Sequence, residues 1–457
     1  MHSRAPLPLQ VAASPAAAPS FLDRMTLSSL VTMMLMLYLS SHGHIPFLMS
    51  VDPVANDADG TVGLTAQVVF LLVLSLLVLP YAKRLTRAAR FAAPVLAISV
   101  LAVLSTAWSQ DPSITFRRSI MLLAPTLFAI FLHVRYEYRH QLELLLLTGL
   151  AAAALSIVLG VMFPAVGLDP TMHDGSWQGI FPQKNVCARA SVFFLLPAVV
   201  LWGRSVSKTL AAFVAFPLLG VVIFKSHSTT GWVLGGVAVL ATLSMRLFRK
   251  LPANESIVLG ILLIGGALAG LFVLEERFAD VLMLLGKDST LTGRTTIWNG
   301  AVEAITKHPF LGYGFSAFWL GLKGESANVI LASKWMVPTA HDGFLDLWLQ
   351  LGGVGLVLFA LSLFQGCRAA VWCLRHDGRE AAEWGAAIML MTILYNLDET
   401  SLMIPRELLW VLYCLAFVNM RAMMFEQRAR QKAWAQMVAA GAGPAPEMLG
   451  RQPVGVR

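Results

Sequence analysis

The chain has 457 residues, 57% of them hydrophobic and 13% charged, and a mean hydropathy of +0.69. Soluble domains carry about 25% charged residues, which excludes a soluble protein with a large core and points to a polytopic membrane protein. The net charge of +8 would suggest nucleic acid in a soluble protein; in membrane loops it has another source, and no nucleic-acid partner is expected. Cys187, Cys367, Cys373 and Cys414 show no CxxC spacing, which speaks against a zinc site or a disulfide framework.

Residues 1–23 are rich in Ala, Pro and Ser and read as a disordered cytoplasmic tail, since the first long apolar run opens at about Met25. Residues 24–425 read as one polytopic membrane domain. About twelve apolar runs, centred near residues 33, 72, 99, 126, 152, 194, 216, 239, 265, 357, 390 and 415, are long enough to cross a ~30 Å hydrocarbon core. The expected fold class is an all-α integral membrane protein. Lys83, Arg84, Arg87 and Arg90 follow the second run, Arg135 and Arg139 the fourth, and Arg204 and Lys208 the sixth. Arg246, Arg249 and Lys250 follow the eighth, Arg368, Arg375 and Arg379 the tenth, and residues 426–457 form a basic tail. Basic residues after every even run place both termini in the cytoplasm. The alternate loops, with Asp111, Asp169, Asp398 and Glu399 among them, then face outward.

One outer loop, residues 276–340, is far longer than the rest, and a loop of that length usually has its own structure and function. Within it, residues 295–307 read as an amphipathic helix with Ile297, Trp298, Ala301, Val302 and Ile305 on one face. Pro309 stops it, and Gly312 and Gly314 turn the chain. Such a helix is expected along the membrane surface, apolar face down, with Arg294 at its start.

Arg117, Arg118, Lys184, Arg189, Lys225, Arg277, Arg294, Lys307 and Arg406 depart from the cytoplasmic bias. Each reads as a snorkelling anchor or, as a group, as a neutralising surface for a lipid diphosphate. His341 opens the tenth run. A lone histidine at a helix start is more often a satisfied polar residue than a catalyst, yet imidazole suits general-base work near neutral pH. Asp342 beside it could orient the ring or cap the helix. Gly352 and Gly355 read as a point where another helix approaches closely. The polar outer stretches 108–112, 177–185 and 226–232 suit sugar hydroxyls or phosphate oxygens, or are plain turns. Walker, dinucleotide, HExxH and nucleophile-elbow motifs are lacking, so no metal and no cofactor is expected.

Four motifs occur in one order: Trp108-Ser109-Gln110-Asp111-Pro112; Gly-x-Phe-x-x-Lys-Asn at 179–185; Gly-Arg-x-x-x-Trp with His-Pro-Phe-Leu-Gly-x-Gly at 293–314; and His341, a polar residue, nine residues and Gly-x-x-Gly. In this the chain resembles the O-antigen ligase and polymerase superfamily over about residues 100–365, and the Lys184-Asn185 segment resembles its exopolysaccharide polymerase branch. The resemblance implies a metal-independent inverting glycosyltransferase of the bacterial inner membrane, with its active site at the periplasmic face. It implies an undecaprenyl-diphosphate-linked glycan as donor and a glycan or lipid-linked acceptor, with membrane lipids around it. His341 would be the general base and Arg294 the diphosphate-binding catalytic residue. Lys184, Asn185, Lys225, Arg117, Trp298 and Asp342 would bind substrate. Many relatives carry a basic residue where this chain has Thr229, so Lys225 or Lys184 would replace it. The alternatives are an O-antigen ligase acting on lipid A-core and, from another class, a transporter or flippase. Whether a chain-length regulator binds is left open.

Overall fold

The computed structural model describes residues 25–49, 60–170, 175–248, 291–377 and 380–439, with scattered positions between 251 and 269. The described residues are helical, with no strand. The helices are α1 (Leu27–Ser40), α2 (Thr61–Val78), α3 (Ala82–Leu104), α4 (Pro112–Arg135), α5 (Tyr138–Met162), α6 (Lys184–Leu201) and α7 (Val206–Lys225). They continue as α8 (Thr229–Phe248), α9 (Leu291–Lys307), α10 (Ser326–Ser333), α11 (Gly343–His376), α12 (Glu380–Asn396) and α13 (Leu408–Ala439). The tails 1–23 and 440–457 and most of the ninth apolar run lie outside the described residues. The boundary expected at 425 falls inside α13.

Among the described residues seven segments are long and apolar enough to cross a membrane, and these residues do not confirm the expected count of twelve. One segment, Thr61–Ala107, absorbs two of the expected runs, because α2 and α3 continue through a single 3-10 turn at Leu79–Tyr81. Its 47 residues correspond to about 70 Å of helix. Lys83, Arg84, Arg87 and Arg90 therefore form the first turns of α3 and not a loop. Leu27–Ser40 and Thr229–Met245 are apolar but shorter, and α12 opens with Glu380 and Glu383.

Burial sorts these helices. The apolar windows of α6 and α13 are each 89% buried, against 22% for Thr61–Ala107 and 28% for α7. Two apolar helices thus stand inside the bundle, while others turn Leu72, Leu76, Leu210 and Phe213 outward. Apolar side chains facing out over whole helices are what a lipid solvent requires.

The amphipathic reading of 295–307 holds for the helix but not for its partner. Ile297, Ala301 and Ile305 are buried within the protein, in a second apolar cluster with Tyr313, Phe318, Val329, Ile330 and Leu349. The face expected to lie on lipid is covered by α10, the 313–318 loop and the start of α11; of the five residues read onto it, Val302 is exposed. A small packed unit can bury such a face as well as a bilayer does.

Gly352 and Gly355 also act differently. Gly352 has φ +64° and ψ −168°, breaking α11 after its first turns. The groups that the break frees are paired by the 309–314 loop. Tyr313 N–H and Gly314 N–H donate to the carbonyls of Leu349 (2.9 Å) and Gln350 (3.0 Å), and Gly353 N–H donates to Pro309 (2.8 Å). A Cβ on Gly352 would overlap the Phe310 carbonyl, and one on Gly312 would lie 2.6 Å from that of Leu349. Two backbones meet here, where a helix-to-helix contact was expected. The Trp108–Pro112 turn clamps the loop from its other side. Trp108 Nε1 donates to the Leu311 carbonyl (2.9 Å), Gln110 N–H to that of Tyr313 (3.0 Å), and Arg118 to that of Ser316 (2.9 Å).

Candidate active site

His341 lies between the long loop and α11, with φ +53°. A left-handed conformation costs a non-glycine residue about 1–2 kcal/mol, so its neighbours must hold it. Ala340, fully buried, is pinned at both ends. Its N–H donates to Asp346 Oδ2 (3.0 Å), and its carbonyl accepts from Trp298 Nε1 (2.9 Å). Asp342 caps α11: Oδ1 accepts from the N–H groups of Phe344 (2.9 Å) and Leu345 (2.8 Å). Burial raises the Asp342 carboxyl pKa, against those two bonds.

The ring finds its partner 58 residues downstream. His341 Nδ1 lies 3.2 Å from Glu399 Oε2. Burial opposes ionisation of Glu399, but the hydrogen bond and charge of His341, with the charges of Arg189 and Arg294, more than offset it and hold this carboxyl below its ordinary range. An ionised Glu399 can only accept at this contact, so it favours the tautomer with the proton on Nδ1, which turns Nε2 to the reacting side. Asn185 Nδ2 donates to the second oxygen, Oε1, at 3.3 Å.

Asp398, next in the chain, does the same for the cation. Its Oδ1 accepts from Arg294 (2.9 Å) and its Oδ2 from the Thr230 hydroxyl (2.6 Å). Thr400 donates to Asp346, tying this segment to the first turn of α11. Asn396 Oδ1 accepts from Ser401 N–H (2.9 Å), and Arg406 N–H donates to the Met121 carbonyl (3.2 Å). The segment between α12 and α13 is thus anchored at both ends, and its Asp398-Glu399 pair joins α6, α8, α9 and His341.

Of the expected site residues, His341, Arg294 and Asn185 converge on that acidic pair. Trp298 and Asp342 set the backbone on either side of His341. Lys184, adjacent to Asn185, opens α6 with its N–H on Asp169 Oδ2 (3.0 Å). Lys225 is exposed at the end of α7, where its carbonyl accepts from Trp177 N–H (2.8 Å). Arg117 is half-buried on α4, one residue before the arginine that holds Ser316. Arg189, read only as one of several outer cations, sits five residues into α6 and pairs with Glu407 at 2.7 Å, both buried. The exposed Trp335 has its ring centroid 6.1 Å from that of His341.

Sequence reasoning treated Asp398 and Glu399 only as markers of an outward loop. The available signal was charge balance: two adjacent carboxylates, on the face that collects unexplained cations, need partners.

A protein-family model described as O-Antigen ligase matches residues 212–360, a stretch that includes Thr230, Arg294 and His341. Over that stretch the chain is similar to the O-antigen ligase superfamily. Among curated relatives of this superfamily match, the exopolysaccharide production protein ExoQ of Rhizobium meliloti is 26% identical over 279 residues, 59% of this chain and 63% of that protein. A Rickettsia prowazekii protein named as a candidate polysaccharide ligase is 28% identical over 179 residues, 38% of each chain. An uncharacterised protein of Haemophilus influenzae is 24% identical over 235 residues, 47% of this chain and 55% of that one. The chain thus spans less than two thirds of each of these relatives. Its long apolar helices and this similarity mark it as a multi-pass membrane protein.

Proposed function

We propose that the chain is a glycosyltransferase that polymerises undecaprenyl-diphosphate-linked repeat units at the periplasmic face of a bacterial inner membrane, with both termini cytoplasmic. The observation that carries this reading is the paired geometry of base and cation. His341 is oriented by Glu399, and the neighbouring Asp398 orients Arg294.

The acceptor hydroxyl oxygen attacks the anomeric carbon of the donor, and its proton passes to His341 Nε2. The bond from the anomeric carbon to the diphosphate oxygen breaks, and the diphosphate leaves with the electron pair. Attack opposite the leaving group inverts the configuration. Negative charge grows on the diphosphate as the bond breaks, and a guanidinium already held in place stabilises it without reorganisation. Trp335 offers a sugar ring an apolar face beside the base. Support for the exopolysaccharide branch comes from the ExoQ match, which covers more of this chain than the ligase match. Ligation to lipid A-core is the second reading, favoured by the description of the matched family.

Cells lacking the protein test both. Single repeat units stranded on lipid at the outer face, with no polymer, support the polymerase. Long lipid-bound chains with bare lipid A-core support the ligase. Units trapped at the cytoplasmic face overturn the enzyme reading in favour of transport.

A further inference from the structure

At the other end of the bundle from His341 a cleft of about 820 Å³ opens between α3, α4, α5, α12 and α13. Five arginines line it, Arg84, Arg87, Arg90, Arg135 and Arg139, against three glutamates, Glu137, Glu380 and Glu426. One of those glutamates is already matched, since Arg139 bonds Glu380 at 2.6 Å. Arg135 stacks on Tyr136 with its guanidinium carbon 5.0 Å from the ring centre, and its Nε is buried without a hydrogen-bond partner among the described residues. Arg84, Arg87, Ala88 and Phe91 repeat at helical spacing and share one face of α3. Ala88, Phe91 and Val134 give the cleft an apolar side.

The position sets the depth. α4 runs from Arg118, which holds the loop over α11, to Arg135 in the cleft; α12 runs from Glu380 in the cleft to Asn396, against Gly343. Each path is about 25 Å of helix, close to the thickness of a hydrocarbon core. The cleft therefore lies where phospholipid headgroups of the opposite leaflet would be. We propose that it binds a phosphate-ester anion, the headgroup of an anionic phospholipid: the phosphate lies among the α3 and α4 arginines and the glycerol and first methylenes against Ala88, Phe91 and Val134. Basic pockets between helix ends favour such headgroups by charge, and a zwitterionic headgroup gains far less.

The purified full-length chain in neutral detergent is titrated separately with phosphatidylglycerol, phosphatidylcholine and inorganic pyrophosphate, followed by native mass spectrometry and thermal melting. Phosphatidylglycerol should be retained and raise the melting temperature, and phosphatidylcholine should do neither. In the double variant Arg84→Gln/Arg87→Gln, retention of phosphatidylglycerol should fall roughly tenfold or more. Both arginines are exposed, so their loss strands no buried partner, and Arg84→Lys/Arg87→Lys should restore much of the binding. Pyrophosphate binding with the same arginine dependence, and no phosphatidylglycerol binding, would overturn the lipid assignment in favour of a soluble phosphate anion. Equal retention of the two lipids, or phosphatidylglycerol binding unchanged in the glutamine variant, would overturn the site.

Discussion

A histidine at φ +53° that also faces a carboxylate is positioned by several neighbours at once, and those neighbours can be tested singly. His341→Ala should abolish polymer formation while the protein stays in the membrane; normal polymer from that variant would remove the base assignment. Glu399→Gln keeps the shape but loses the charge that orients the ring, and kcat should fall by about 10²-fold. Glu399 also makes stability depend on pH. Its folded-state pKa lies below the ordinary 4.5, so as the pH falls protons bind the unfolded chain first. Its stabilisation is complete above about pH 5 and is lost as the pH drops through the lowered pKa. The difference in Tm between wild type and Glu399→Gln should accordingly shrink as the pH falls from about 5 through the lowered pKa. Arg294→Ala should weaken donor use strongly. Arg294→Lys should recover only part, because an ammonium group cannot hold Asp398 and a diphosphate as a planar fork does.

Elements joined by backbone contact tolerate no added atom at the joint. Gly352→Ala combines a positive φ with overlap on the Phe310 carbonyl and should cost more than about 3 kcal/mol in a thermal or denaturant assay. Gly236 on α8 has nothing within 4 Å of its would-be Cβ, so Gly236→Ala should change stability by less than about 1 kcal/mol. Equal tolerance at both positions would mean that the α11 break is not required for folding. The motif spacing singled out Gly352 correctly but assigned it the wrong neighbour. Spacing on one helix shows which residues share a face, whereas the partner at that face comes from elsewhere in the chain. For α9 the same limit applies: the 3.6-residue period found the apolar face, and the choice between lipid and protein was made by α10 and the 313–318 loop.

Across the whole molecule, cations that read as topological markers also carry structural pairs. Lys208 forms an ion pair with Glu143 at 2.8 Å, both residues buried, and Arg204 bonds Glu383 at 3.0 Å. Removing one member of a buried pair leaves a charge without compensation. Glu143→Gln should therefore destabilise by about 3–5 kcal/mol, and adding Lys208→Met should recover most of the loss in a double-mutant comparison. The anionic-lipid cleft and the His341 cluster occupy opposite ends of α4 and α12, so each can be altered without touching the other.

The sequence by itself determined the helical membrane class, most helix positions, and the identity of His341, Arg294 and Asn185 as residues that need an explanation. Hydropathy and period are local properties, and they survive without knowledge of the fold. The tertiary structure alone decided that Glu399 orients His341 while Asp342 caps a helix, that Asp398 holds Arg294, and that α2 and α3 run as one segment. Those outcomes depend on which distant segments share a buried space. A carboxylate next in sequence can be turned away by the helix it caps, whereas one 58 residues on is brought to the ring by the packing of α12 and α13.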